Sequence, residues 1–241
     1  ISPDIQDTKI SYGEFFGMMN QAARLLRKDL SGRRGVVAFL LPNIPLAQAI
    51  MWGGEAVATI APLNPLLDVD ALVNLLDAAN AEVLITLGPQ AEPGLWEKSL
   101  AVVEKSRSVK KIYSVMTSDD VSGHPCFDIE VAKESIQTLP NEWLPSVDDI
   151  ASLFHTGGTT GVPKLAQISH NNQYVAAQTR CKYSGLTSGE SLMNGLPLFH
   201  VGGSILLSLG MLAGGVNIIL PTTSGLRNPD VVTHFWRLTE H

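Results

Sequence analysis

The sequence predicts an α/β protein whose parallel-rich sheets are covered by helices. Strand-length apolar runs alternate with amphipathic stretches of helix length, and successive crossovers of that kind join parallel strands. The composition supplies the interior: 45% of the 241 residues are hydrophobic, the mean hydropathy is +0.15, and a chain of this size buries a substantial aliphatic core in one or two domains.

The elements follow in order. Ser11-Tyr12-Gly13-Glu14 has the spacing of a capping box, after which Phe15, Met18, Met19, Ala22, Leu25 and Leu26 line one helical face. Gly35 to Leu41 reads as a strand. Asn43 to Val57 suits a helix entered through Pro45, and Ala58 to Ala61 a short strand before the turn Pro62-Leu63-Asn64-Pro65. The unit then repeats: helix from Asp70 to Asn80, strand from Glu82 to Leu87, helix from Gly94 to Ser106, strand from Lys111 to Met116. Ser118 to Pro125 is a polar loop, and Asp128 to Thr138 a short helix.

Residues 140–149, with Pro140 and Pro145 among acidic side chains, read as a connection between a first α/β subdomain, 1–139, and a second, 150–241. The second opens on the buried strand Ile150 to Phe154 and includes a helix from His170 to Lys182. From Leu198 to Pro221 there is no charged residue, which is long enough for a membrane span. The pairs Gly202-Gly203 and Gly214-Gly215 break it, so a buried helix from Ser204 to Ala213 and a buried strand from Val216 to Leu220 are expected instead. A last helix is expected from Pro229 to Thr239.

The most informative segment is Leu153-Phe154-His155-Thr156-Gly157-Gly158-Thr159-Thr160-Gly161-Val162-Pro163-Lys164. Three glycines free the backbone to curl and to approach a ligand closely, three threonines add hydroxyls, and a lysine adds a mobile positive charge. A bland Gly-Thr surface turn is the competing reading; the preceding strand favours a ligand loop, since α/β proteins place ligands at strand ends. The pattern GxxxxGK[ST] fails, because Pro163 precedes Lys164 and Leu165 follows it. GxGxxG fails because Gly157 and Gly158 are adjacent. A third kind of phosphate loop remains.

Thr156 to Lys164 resembles the TSGTTGxPKG motif of the acyl-adenylate-forming (AMP-binding) enzymes, which include acyl-CoA synthetases, adenylation domains of peptide synthetases and luciferases. Pro197-Leu198-Phe199-His200-Val201-Gly202-Gly203 is similar to the PxFH segment that borders the acyl pocket in that family. Gly157 stands where serine is usual, as in fatty-acyl members, and Leu165 stands where glycine is usual.

The resemblance implies ATP-dependent activation of a carboxylic acid to an acyl-AMP with release of pyrophosphate, followed by thioester formation with CoA. The carboxylate is itself the attacking group, so the protein's work is positioning and charge stabilisation. Thr156, Gly157, Gly158, Thr159, Thr160, Gly161 and Lys164 are then the nucleotide-binding residues, through backbone N–H groups, hydroxyls and the ammonium. Mg²⁺ would bridge the phosphates, with Thr160 or Thr159 as one oxygen contact. Phe199, His200, Val201, Gly202 and Gly203 would line the acid pocket, with room for substrate beside the two glycines; Lys164 and His200 are the catalytic candidates. A satisfied buried ring is the alternative for His200. His155 and His170 flank the loop in sequence: loop packing is the reading for His155, while His170 matches a family histidine.

Family members continue with segments for adenine and ribose and with a mobile C-terminal domain. The expected chain is therefore an N-terminal part of such an enzyme, with little or no turnover alone. The absence of an initial methionine and the end at Glu240-His241 agree with that expectation. A carrier-protein-loading adenylation domain and a noncatalytic nucleotide- or acyl-binding module are the alternatives. A serine hydrolase is disfavoured, because no GxSxG occurs.

A formal net charge of −6 argues against broad nucleic-acid binding. Cys126 and Cys181 form no CxxC pair, and the start at Ile1-Ser2-Pro3-Asp4 has no secretory signal, so a reducing, cytoplasmic setting is expected. The acid itself is not legible.

Overall fold

The structure, a computed structural model, describes residues 8–156 and 164–236. Its centre is a six-stranded sheet in the order β4-β3-β1-β2-β5-β6. Helix α1 (Tyr12–Asp29) precedes β1 (Val36–Leu40), α2 (Pro45–Glu55), β2 (Thr59–Pro62), α3 (Val69–Ala79), β3 (Ala81–Leu87), α4 (Pro93–Lys105) and β4 (Lys111–Val115). All pairings among β1 to β4 are parallel. This is the alternation expected from the sequence, with element ends moved by at most two residues.

Local chemistry starts the helices. Ser11 Oγ accepts the Glu14 N–H at 3.2 Å, and Glu14 Oε2 accepts the Ser11 N–H at 2.7 Å, which completes the capping box of α1. Asp68 caps α3 through the Ala71 N–H at 2.8 Å. Asn80 ends that helix in the left-handed region at φ 52.

Side chains alternate across the strands, so the two faces of the sheet build two cores. Val37 and Phe39 of β1, with Val83 and Ile85 of β3, pack with Ala22, Leu26, Ile50 and Met51 of α1 and α2. Ala38, Leu40 and Leu84 face Leu72, Leu76, Leu95 and Trp96 of α3 and α4. The helices α1 and α2 cross very closely at Gly53, where a Cβ would lie 2.1 Å from the Met19 carbonyl oxygen.

The stretch 140–149, expected as a connection between subdomains, carries the 3₁₀ turn Asn141–Trp143 and leads directly to β5 (Ile150–His155). Strand β5 pairs with β2 in parallel, so the sheet runs across this connection without dividing. Strand β6 (Leu165–Ser169) then pairs antiparallel with β5. Neither β6 nor β7 (Ser191–Met193) was anticipated.

Helix α6 (His170–Ser184) begins on a second capping box between Ser169 and Asn172 and ends at Gly185 with φ 71. The helix expected over Ser204–Ala213 is instead a π-helix, Gly202–Leu209, continued by α7 (Gly210–Leu212). Strand β8 (Asn217–Ile219) pairs parallel with β7 in a separate two-stranded sheet. The helix expected over Asp128–Thr138 is shortened to α5 (Phe127–Val131); the last opens as expected at Pro229 with α8 (Pro229–Thr233), and residues 237–239 of its expected range lie outside the described residues. No described helix is long and apolar enough to cross a membrane.

Candidate nucleotide and acid site

The glycine-rich segment joins β5 to β6 and so leaves the sheet at the C-terminal end of β5, the end at which open α/β sheets bind ligands. Gly157, Gly158, Thr159, Thr160 and Gly161 lie outside the described residues, as do Val162 and Pro163. Both ends of the segment are described. His155 is paired with Leu165 across the ladder. Just beyond them the Thr156 N–H donates to the Lys164 carbonyl at 2.8 Å. Thr156 and Lys164 are exposed, and among the described residues the Lys164 ammonium has no ion-pair partner. A solvated ammonium at the mouth of a Gly-Thr hairpin suits a polyphosphate anion.

Two other chain segments meet the base of this hairpin. The first is the Pro62-Leu63-Asn64-Pro65 turn after β2, whose Asn64 N–H donates to His155 Nε2 at 3.2 Å. The second is the Pro197–Gly203 segment: the Phe199 ring stacks on His155 with centroids 5.9 Å apart and planes 26° from parallel. Burial holds the His155 pKa below the ordinary imidazole value, which keeps Nε2 free to accept. The loop-packing role read for His155 thus takes a specific form, with the ring touching both neighbouring segments.

His200 is exposed rather than buried, and its Nδ1 accepts the Gly202 N–H at 2.9 Å. Its carbonyl accepts the N–H groups of Gly203 and Ser204 at 2.9 and 3.0 Å, which starts the π-helix. Gly202 and Gly203 are closely packed on the side that a Cβ would occupy. A Cβ on Gly203 would lie 2.4 Å from the Pro197 carbonyl oxygen, and one on Gly202 2.9 Å from His200 Nδ1. Phe199 is half-buried and Val201 exposed.

An asparagine pair that the sequence reading missed bolts this segment to the main sheet. Asn194 Nδ2 donates to the Gly203 carbonyl and to Ser208 Oγ, both at 2.8 Å. Asn43, just after β1, donates from Nδ2 to the Leu196 carbonyl at 3.0 Å and accepts from Gln48 Nε2 at 2.8 Å. Both asparagines are almost fully buried. A polar residue directly after an apolar strand was the available signal for Asn43; nothing local marks Asn194.

His170 lies elsewhere. Ser169 pairs with Ile150 at the opposite end of β5 from the hairpin, so His170 is placed across the length of the strand from Lys164. Its Nε2 is buried without a partner among the described residues, and burial and the nearby Arg34 charge hold its pKa down. Close to that end, Glu55 of α2 is buried, its Oε1 accepting from Gln173 Nε2 at 2.9 Å. Burial pushes its pKa up to about 8. These groups are a packed polar cluster remote from the hairpin.

Among the described residues no three His, Cys, Asp or Glu side chains gather as a metal site. The Mg²⁺ contact expected at Thr160 or Thr159 lies outside the described residues.

The model of the family described as AMP-binding enzyme matches residues 4–240. The chain belongs to the AMP-binding enzyme family. It is 32% identical over 243 aligned residues to a marinolic acid–CoA ligase of a Pseudoalteromonas species, an alignment covering 95% of this chain and 36% of that protein. It is 27% identical to a feruloyl-CoA synthase of an Amycolatopsis species, over 88% of this chain and 39% of that one. The fold matches that of a Mycobacterium tuberculosis fatty acyl CoA synthetase with a TM-score of 0.77 at 20% identity, over 96% of this chain and 42% of the other. This member of the family thus spans well under half the length of these relatives.

Proposed function

We propose that the protein to which this chain belongs is an acyl-CoA synthetase, joining a carboxylic acid to AMP from ATP with release of pyrophosphate and then transferring the acyl group to CoA. The observation that carries this reading is the exposed Lys164 ammonium at the base of a Gly-Thr hairpin on the C-terminal end of the sheet, with Phe199 stacked beside it on His155. Relatives named as CoA ligases support the same class.

In this reaction the carboxylate oxygen attacks the α-phosphorus, and the bond to the bridging oxygen of pyrophosphate breaks. Negative charge grows on the leaving group as that happens. Lys164 offsets it, and the Gly157–Gly161 amides with the Thr156, Thr159 and Thr160 hydroxyls hold the β- and γ-phosphates in line. Mg²⁺ carried with the polyphosphate, with Thr160 as one oxygen contact, belongs to the same proposal; it would supply further neutralising charge. The Phe199–Gly203 segment presents the acid, its backbone fixed by Asn194 and Asn43 and the exposed His200 ring at its edge.

The chain contributes the pyrophosphate cradle and one wall of the acid site, and the remaining length of the relatives accounts for nucleoside contacts and thioester formation. The test is acid-dependent exchange of labelled pyrophosphate into ATP by the complete protein, followed by acyl-CoA formation. Nucleotide binding with no exchange would point instead to a binding module, and exchange without transfer to free CoA to a carrier-protein acceptor.

A further inference from the structure

Resting on that functional reading, we infer that His155 is a positioning residue, coupling the phosphate hairpin to the acid segment through its stacked contact with Phe199. Three observations place it there. It is the last residue of β5, with the Thr156–Lys164 backbone bond immediately beyond it, so any displacement of His155 moves the root of the hairpin. Its ring face lies against Phe199 at a centroid distance of 5.9 Å, while Nε2 accepts the Asn64 N–H at 3.2 Å. Those two contacts fix the ring both in plane and along its normal.

The partners are themselves anchored. Asn64 follows directly on Leu63, whose N–H donates to the Phe39 carbonyl at 3.0 Å in continuation of the sheet. Phe199 follows Leu198, which is fully buried in the main core. A half-buried imidazole between two such anchors transmits position, not a proton: among the described residues no acidic partner touches it, and its accepting nitrogen is already engaged. The in-line attack needs the carboxylate and the α-phosphorus held within a fraction of an ångström, and the two reactants are held by different segments. His155 is the side chain the structure places between those segments.

Coupling of this kind acts on kcat more than on either KM, because each substrate still meets its own contacts. In the complete protein, His155→Ala is expected to lower kcat for acid-dependent exchange by roughly 10- to 100-fold, the cost of a misplacement near 1 Å, with both KM values changed by less than about 3-fold. Phe199→Leu should lower kcat by a similar factor and, because this ring belongs to the acid segment, also raise KM for the acid. The double variant should be no slower than the worse single one, since both remove one contact. His155→Phe, which keeps a stacked ring, should restore most of the rate, and His155→Gln, which keeps only an acceptor, should not.

Losses that multiply in the double variant, or rescue by Gln rather than Phe, would overturn this role while leaving the functional reading intact. A rate loss that merely follows a fall in melting temperature would do the same. Absence of exchange in the unmodified complete protein would overturn the functional reading, and this role with it.

Discussion

The Thr156 N–H and the Lys164 carbonyl are joined at 2.8 Å, so the two ends of the Gly-Thr hairpin are held by a backbone bond that does not involve the lysine side chain. Removing that side chain should therefore cost function without disturbing the loop's root. Lys164→Ala in the complete protein is expected to slow acid-dependent pyrophosphate exchange by roughly 10²–10³-fold, the usual effect of losing one preorganised charge-stabilising donor. Its urea midpoint should match the unmodified protein. An unchanged exchange rate would remove Lys164 from the reaction.

Glu55 gives a stability prediction with a defined sign. Burial lifts its pKa from the ordinary 4.5 to about 8, so the folded chain holds this proton more tightly than the unfolded one. Its contribution is whole below pH 4.5 and drains away as the pH rises through 8. Glu55→Gln keeps the acceptor for Gln173 and removes the titration. The variant should be more stable than the parent at pH 8, by on the order of 2 kcal/mol, and indistinguishable or weaker at pH 5. Urea unfolding across that range checks it; parallel pH profiles for the two proteins would contradict it.

Gly203 is a packing constraint on the acid segment. An added methyl group would sit 2.4 Å from the Pro197 carbonyl oxygen and 2.9 Å from that of Leu196, both backbone atoms that cannot rotate away. Gly203→Ala should cost about 1–3 kcal/mol as the turn is forced apart. Gly123→Ala should behave differently: its Cβ would meet nothing within 4 Å, leaving only the strain of φ +82. Thermal or urea melts of the two variants, with Gly203→Ala the less stable, provide the comparison.

Asn43 joins the end of β1 to the Leu196 carbonyl and to Gln48. Asn43→Ala leaves a buried carbonyl and a buried amide without this partner, at an expected cost of about 2–3 kcal/mol. Because the freed segment carries Phe199, KM for the acid should rise while KM for ATP stays near its original value. Equal changes in both would argue against a selective effect on the acid side.

Much of this was legible residue by residue. Ser11 and Glu14 announced the first helix, Pro45 the second, and the apolar run within Gly35 to Leu41 the first strand. Strand β6 was not, because Leu165 to Ser169 is short and follows directly on the loop, with pairing partners that lie back along β5. The π-helix was hidden for a related reason. An uncharged run fixes burial, but the wider turn of Gly202–Leu209 goes with side-chain bonds from Asn194 and Ser208 to the Gly203 carbonyl. His170, close to the loop in sequence, is carried to the far end of β5 by one short strand, a placement that adjacency along the chain does not reveal.

By itself, the sequence determined the helix–strand alternation, the helix starts and the Gly-Thr-Lys segment that marks the family, because each depends on contacts within a few neighbouring residues. Only the tertiary structure decided that Asn64, His155 and Phe199 meet, that Asn43 reaches Leu196, and that Gly203 packs against the Pro197 carbonyl. Those contacts join residues far apart along the chain. Strand register and core packing choose them, and no local pattern of residue types specifies either.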